Sequence, residues 1–338
     1  MGWTTPGTRP ASATSVPPTE ARRALITGVA GQDGGYLAEQ LLADGHRVFG
    51  LVRADQRARA AALPWLRSVD FVEGDLRDGA SLERAIGAAQ PDEVYNLASY
   101  SQPGRAWSEP EASADVNALG PLRLLEAIRR ADRPIRFVQA GTSEMFGEIA
   151  NPQNESTPPR PNTPYGAGKA YAHHLVGQYR ARCGIFACGA VLYNHESPRR
   201  PENFVTRKIT RAAARIKLGL DREVMLGSLD ARRDWGYAAD YVRALRLMLA
   251  ADAADDYVVG TGRSHSVGDF AEAAFKRVGL DYREFVRTDP AFVASSTSTG
   301  LEADASKARE KLGWAPSVSF EELVGLMVDA DLEREAKG

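Results

Sequence analysis

The chain has two cysteines, Cys183 and Cys188, in 338 residues. Two thiols five positions apart form neither a disulfide framework nor a CxxC redox pair nor a zinc site, so those classes are excluded. Both read as ordinary buried thiols of a reducing compartment, and no metal is expected. No run reaches the roughly 18 apolar residues of a membrane helix, and positions 1–20 lack the apolar segment of a signal peptide, which leaves the cytoplasm as the expected location. A surplus of charge is missing too: 42 Lys+Arg against 44 Asp+Glu gives a net charge of -2 and a pI near 6.3. Neither nucleic acid nor a membrane is an expected partner, although a local anion site is compatible with this balance. Lysine is scarce, with seven against 35 arginines, so a well-placed lysine carries more weight than a single arginine.

What is present is ordinary in composition. With 43% hydrophobic and 25% charged residues, collagen-like, coiled-coil and wholly disordered readings fall away. The length exceeds the usual domain of about 100 to 200 residues, so one extended domain or two interlocked ones are expected. Residues 1–20, rich in Pro, Ser and Thr, read as a disordered arm.

Beyond the arm, short apolar runs alternate with helical patterns. Ala24-Leu25-Ile26 runs into a glycine turn and then a helix whose Tyr36, Leu37, Leu41 and Leu42 share a stripe that Gly45 stops. Strands follow at Arg47 to Val52, around Phe71-Val72, at Glu93 to Leu97 and at Ile135 to Gln139, with helices near 80–89 and 111–130. This alternation predicts parallel strands with helical crossovers, a doubly wound α/β sheet. After residue 190 the rhythm loosens: a helix begins within 204–211, strands are expected at 224–226 and 256–260, and a final helix is capped by Ser319 and Glu322. The expected division is a nucleotide-binding domain over 21–190 with return segments near 232–265, and a smaller substrate-binding lobe from 191–231 and 266–338.

Gly28, Gly31 and Gly34 form a GxxGxxG turn between the first strand and first helix. Without β-carbons, backbone amides can approach a pyrophosphate, and the helix N-terminus behind them adds a positive partial charge. About 20 residues on, an acidic residue suits a free ribose hydroxyl and a basic one a 2'-phosphate. The second strand ends at Arg53, which favours NADP, with Asp55 nearby keeping NAD open. Asp75-Leu76 after the third strand can receive the adenine amine.

Tyr165-Gly-Ala-Gly-Lys169 sets a phenol and an ammonium on one helical face, where a desolvated lysine makes the phenol a usable base. The spacing alone is weak, and its position after five strand-helix elements strengthens it. Thr142, Ser143 and Glu144 follow the fifth strand, where ligands of such sheets bind. A hydroxyl there can hold a substrate hydroxyl, and a carboxylate can take a carbon-bound proton acidified by an adjacent ketone.

Together with LYNHESPRRPENFVTRK and LGSLDARRDWGYAADYV, these elements resemble the extended short-chain dehydrogenase/reductase superfamily and, within it, the GDP-mannose 4,6-dehydratase family, over roughly residues 22–315. The resemblance implies a Rossmann-type sheet and a 4,6-dehydration of a nucleotide sugar; the alternatives are a 4-epimerase on the same scaffold and a non-catalytic NADP-binding module. It implies that Tyr165 and Lys169 act on the sugar O4, that Thr142 holds it, and that Glu144 removes the C5 proton. Cofactor contacts are implied for Gly28, Gly31, Gln32, Asp33, Gly34, Arg53, Asp75, Leu76, Leu97, Ala98, Tyr165, Lys169 and His195. Substrate contacts are implied for Ser99, Ser143, Asn194, Val205, Lys208, Leu226 and Arg233, around a GDP-linked sugar, in a homodimer or homotetramer.

Two departures from the family pattern stand out. Ala294 and Thr297 occupy places where the family carries an Arg and a Glu for the nucleotide. Loss of such a charged contact costs about 1.5 to 3 kcal/mol, enough to alter nucleotide or sugar preference. Arg53-Ala-Asp55-Gln-Arg57 also replaces an RRSS-type loop that helps hold the cofactor phosphate and the tetramer.

Overall fold

The computed structural model describes residues 21–101, 106–149, 152–289 and 301–337. The expected arm, and Ala294 and Thr297, lie outside the described residues.

Seven strands form a parallel sheet in the order β10-β6-β5-β4-β1-β2-β3. In chain order its members are β1 (Arg23–Thr27), β2 (Arg47–Val52), β3 (Asp70–Glu73), β4 (Glu93–Asn96), β5 (Arg136–Ala140), β6 (Ala187–Leu192) and β10 (Asp256–Val259). The central strands are buried on both faces, which is why they read as continuous apolar runs instead of alternating ones. Helices Gln32–Ala43 and Ala238–Ala250 cover one face through Leu37, Leu41, Leu245 and Met248. Helices Gly79–Ala89 and Gly120–Arg130 cover the other through Leu82, Ile86, Leu124 and Ile128. The strand order reverses between β1 and β4, so a crevice opens at their carboxyl ends. The expectation of a doubly wound α/β sheet holds.

From β6 the chain passes through Tyr193 directly into β7 (Asn194–Glu196), which pairs with β9 (Arg232–Tyr237), itself antiparallel to β11 (Ser264–Ser266). β8 (Val224–Leu226) pairs with β12 (Val286–Thr288). Helices Val205–Lys217, Val267–Arg277 and Phe320–Glu335 enclose a separate core of Ile209, Trp235, Phe270, Phe275 and Met327. The Phe320–Glu335 helix carries the expected capping box of Ser319 and Glu322.

Two details differ from expectation. The helix expected over 111–130 is three pieces, Pro110–Ala114, a π-helical turn Asp115–Leu119, and Gly120–Arg130. The wide turn carries buried Asn117, whose Oδ1 accepts from Ser99 Oγ at 2.8 Å and Tyr100 N at 3.1 Å. Cys188 is buried as expected, whereas Cys183, at the end of the helix Pro164–Cys183, is exposed. Among the described residues no helix is long and apolar enough to cross a membrane, and no cluster of metal-ligating side chains occurs.

Candidate active site

The turn after β1 is compact because its glycines are. Gly28 has φ 69, and a β-carbon there would lie 2.8 Å from Ala98 N; one on Gly34 would lie 2.4 Å from Gly28 O. This brings the N-terminus of helix Gln32–Ala43 to the crevice with its amides facing in, a cradle suited to a pyrophosphate.

Asp33, in that first helical turn, meets His195 from β7: His195 Nε2 lies 2.9 Å from Asp33 Oδ2, and Nδ1 lies 2.7 Å from Tyr193 O. Both ring nitrogens thus face acceptors, the arrangement an imidazolium satisfies. Burial works to lower the imidazole's pKa, but the Asp33 carboxylate outweighs it and holds His195 above its ordinary value. Burial likewise works to raise Asp33, and the His195 charge outweighs it, so the carboxyl lies below its ordinary value. Gln32 adds a second tie, donating to His195 O at 3.1 Å and accepting from Ser197 Oγ at 2.7 Å. At the β2 end, Arg53 is held by Asp55 through two bonds of 3.1 and 3.2 Å, and Asp75 is bound by Arg77. The two pairs line a hollow of about 760 Å³ together with Arg84.

Helix Pro164–Cys183 starts at Thr163, whose hydroxyl accepts from Gly166 N at 3.0 Å, with Pro164 in its first turn. That start places Tyr165 and Lys169 on one face, both buried, with the ammonium 5.9 Å from the phenol ring centroid. Burial raises the phenol above its ordinary value while hydrogen bonds with Thr142 and Ser99 pull the other way. Beside the lysine that the sequence points to, the hydroxyls of Thr142 and Ser99 thus act on the phenol. Burial pushes Lys169 down to about 8, with the Asp33 carboxylate acting against it, and its Nζ donates to Ala140 O at 2.9 Å.

Glu144 sits on the short turn Ser143–Met145 directly after β5, its amide donating to Thr142 Oγ1 at 3.3 Å. Burial lowers the guanidinium pKa of Arg233, and the Glu144 carboxylate is the charge that acts against this, so β9 supplies a cation facing that turn.

A cleft of about 1350 Å³ joins these parts. It is lined by Gly28, Gly31, Gln32, Asp33, Gly34, Arg53, Asp75, Leu76, Leu97, Ala98, Ser99, Thr142, Ser143, Glu144, Tyr165, Lys169, Asn194 and His195. Val205, Lys208, Leu226 and Arg233 lie outside that lining. Val205 and Lys208 are on the helix beginning next to lining residue Phe204, and Leu226 is packed in the separate core. The reading of residues one at a time missed Arg200. It lines the cleft above the Phe204 ring, 3.6 Å from its centroid, and pairs with buried Glu196 at 3.1 Å. Its neighbour Arg199 points away, held between the rings of Tyr36 and Trp65 at 4.1 and 4.3 Å and bound twice by Glu39. Two adjacent arginines in a turn look equivalent in sequence; only the fold separates the cleft-lining one from the clamping one.

A dinucleotide-sized cleft at the reversal of a doubly wound sheet, walled by Tyr165 and Lys169, defines the class of extended short-chain dehydrogenase/reductase enzymes. Solved structures agree. UDP-glucose 4-epimerase from Thermotoga maritima, determined with UDP-glucose, superimposes with a TM-score of 0.83 at 26% identity over 93% of this chain and 99% of that one. The dTDP-glucose 4,6-dehydratase of Streptomyces venezuelae, determined with NAD and TYD bound, gives 0.81 at 25% identity over 93% and 98%. The family model for GDP-mannose 4,6 dehydratase matches residues 25–327. GDP-mannose 4,6 dehydratase 1 of Arabidopsis thaliana is 47% identical, covering 92% of this chain and 90% of its own, and the human GDP-mannose 4,6 dehydratase is 40% identical, covering 92% and 91%. The chain belongs to the GDP-mannose 4,6-dehydratase family.

Proposed function

We propose that this enzyme converts GDP-mannose to its 4-keto-6-deoxy derivative and water. The observation that carries the reading is the placement of Glu144, a carboxylate, on the turn that also presents Thr142 to Tyr165. When bound, a nicotinamide nucleotide supplies the hydride acceptor at C4 and the donor at C6. Thr142 and Ser99 orient the Tyr165 phenol against the sugar O4, and Tyr165 takes the O4 proton as C4 is oxidised, with the Lys169 ammonium favouring the phenolate. The 4-ketone then acidifies C5–H, and Glu144 receives that proton and passes it to the C6 hydroxyl, which departs as water. Reduction at C6, with the proton held by Tyr165 passing to C5, completes the change. Asn194, Arg233, Lys208 and Val205 would surround the nucleotide, their cations suiting its diphosphate.

The cofactor we assign is NADP. The glycine cradle fits its pyrophosphate, and the hollow lined by Arg53, Arg77 and Arg84 offers guanidinium groups for a 2'-phosphate once Arg53 exchanges Asp55 for it. We assign residues 21–190 with the return segments near 232–265 to cofactor binding and 191–231 with 266–338 to the sugar. We also assign a homodimer through helices Gly120–Arg130 and Pro164–Cys183; near them Leu119 and Tyr171 are 40% and 43% exposed.

Incubation of purified enzyme with GDP-mannose tests the activity: the expected product is lighter by one water. A product of unchanged mass is the outcome of 4-epimerisation, and no conversion of any GDP-hexose overturns the assignment.

A further inference from the structure

A buried chain of hydrogen bonds runs beneath the cleft across three strands. Thr27 Oγ1, at the end of β1, accepts from Leu97 N and Ala98 N at 3.1 and 3.0 Å and donates to Asn96 Oδ1 on β4 at 2.6 Å. Asn96 Nδ2 donates to Gln139 Oε1 on β5 at 2.6 Å. Gln139 Nε2 donates in turn to Ala140 O at 2.8 Å, the same carbonyl that receives Lys169 Nζ. Thr27, Asn96 and Gln139 are at most 2% exposed.

Three polar side chains in the middle of a parallel sheet are costly unless fully paired, and the neighbouring positions Ile26, Val94 and Val138 show that apolar residues fill this sheet readily. The chain has one direction throughout. Each amide is oriented by the donor or acceptor before it, so Gln139 presents an N–H, not its oxygen, to Ala140 O. Among the described residues, that carbonyl receives the Lys169 ammonium.

We propose that Thr27, Asn96 and Gln139 are positioning residues for Lys169: they fix the Ala140 carbonyl so that it holds one ammonium N–H and aims the remaining ones into the cleft. This rests on the reading above in which Lys169 serves Tyr165 and the cofactor. Coupling of this kind also ties the glycine turn, which begins one residue after Thr27, to the active-site helix. The charged and titratable groups around the ammonium are Asp33 on the first helix and Tyr165 on its own helix.

The test is the titration of Lys169 in the full chain, read from isotope-labelled lysine ε-carbons by NMR without sugar or cofactor. Seven lysines make the spectrum sparse, and Lys169→Met assigns the signal. Losing a hydrogen bond to the charged form lowers a lysine pKa, so Gln139→Met is expected to move Lys169 down by roughly one pH unit. Thr27→Val is expected to move it the same way and Thr27→Ser to leave it in place. NADP binding, followed by fluorescence, is expected to weaken roughly tenfold in Gln139→Met. A folded Gln139→Met whose Lys169 titrates as in the wild type, or higher, overturns the proposal. Should Gln139→Met not fold, equal titrations in Thr27→Val and Thr27→Ser overturn it instead. Because the titration needs no turnover, a chain that converts no GDP-sugar yet shows the shift refutes the assigned activity and leaves the positioning role standing; an active chain without the shift does the reverse.

Discussion

A β-carbon on Gly166 would lie 2.5 Å from the carbonyl oxygen of Glu144. The residue after Tyr165 therefore sets how closely its helix approaches the carboxylate turn. Two positions on, a β-carbon on Gly168 would lie 3.3 Å from Asn117 Cβ, so the same helix is seated against the π-helical turn as well. The two glycines of Tyr165-Gly-Ala-Gly-Lys169 are spacers that put a phenol, an ammonium and a carboxylate into one cleft.

Gly166→Ala is expected to push Tyr165 away from Glu144 and Thr142 and to lower kcat by about 10²-fold, the scale on which an ångström of misplacement acts. NADP affinity should stay within about twofold. Steady-state kinetics beside a cofactor titration check this, and an unchanged kcat would show that the turn yields without cost.

Glu144→Gln keeps the shape of the side chain and removes the carboxylate we propose takes the C5 proton. Release of water is expected to fall by roughly 10²- to 10⁴-fold. Solvent-deuterium exchange at C5, followed by mass spectrometry, should disappear with it. Exchange persisting at the wild-type rate would assign the proton to another group.

Lys169 is held at about 8 by burial, below the 10.5 of an exposed lysine. Between those values the unfolded chain binds more protons than the folded one, so stability rises with pH across that window. The gain is at most about 3 kcal/mol at 1.36 kcal/mol per pH unit. Urea unfolding of wild type and Lys169→Met at pH 7.5 and 10 isolates it: the wild type should gain relative to the variant, and parallel behaviour would contradict the burial seen here.

Arg207 and Asp331 form a buried pair, with Arg207 Nη1 also donating to Arg200 O at 2.8 Å. Asp331→Ala leaves that guanidinium buried without its anion and is expected to cost about 3 to 5 kcal/mol. The double variant Arg207→Met, Asp331→Leu should recover much of the loss in denaturant midpoint, yet weaken NADP binding, since the Arg200 turn loses its anchor.

Cys188 is pushed up to about 11 by burial, whereas Cys183 is exposed. A thiol reagent at pH 8 is expected to modify one cysteine of the native chain and two after unfolding. Modification of both in the native state would place Cys188 nearer solvent than its packing allows.

The glycine turn, the Tyr165 and Lys169 helix and the Thr142 to Glu144 turn were legible because each depends on neighbours in sequence: a strand end, a helix start, a spacing of four. The chain from Thr27 to Gln139 was not, since it exists only through the register Thr27↔Asn96 and Asn96↔Gln139 between strands far apart in sequence. Asn117 stayed hidden for a different reason. A regular helix over 111–130 gives no sign of the one wide turn that aims it at Ser99. Arg200 was obscured by Arg199, which carries the same charge and does unrelated work.

β10 closes the sheet beside β6, and its residues 256–259 leave the ribosome long after β6 has ended at Leu192. At about 5 to 20 residues per second, synthesis of that interval takes roughly 3 to 13 seconds. Throughout it the β6 strand Ala187–Leu192, wholly buried in the finished protein, presents an open hydrogen-bonding edge. The growing chain is thus adhesive while Asn194, His195 and Arg233 are still being added to the site, which makes the rate of translation through 190–260, and holdase chaperones acting there, determinants of how much enzyme a cell obtains from each message.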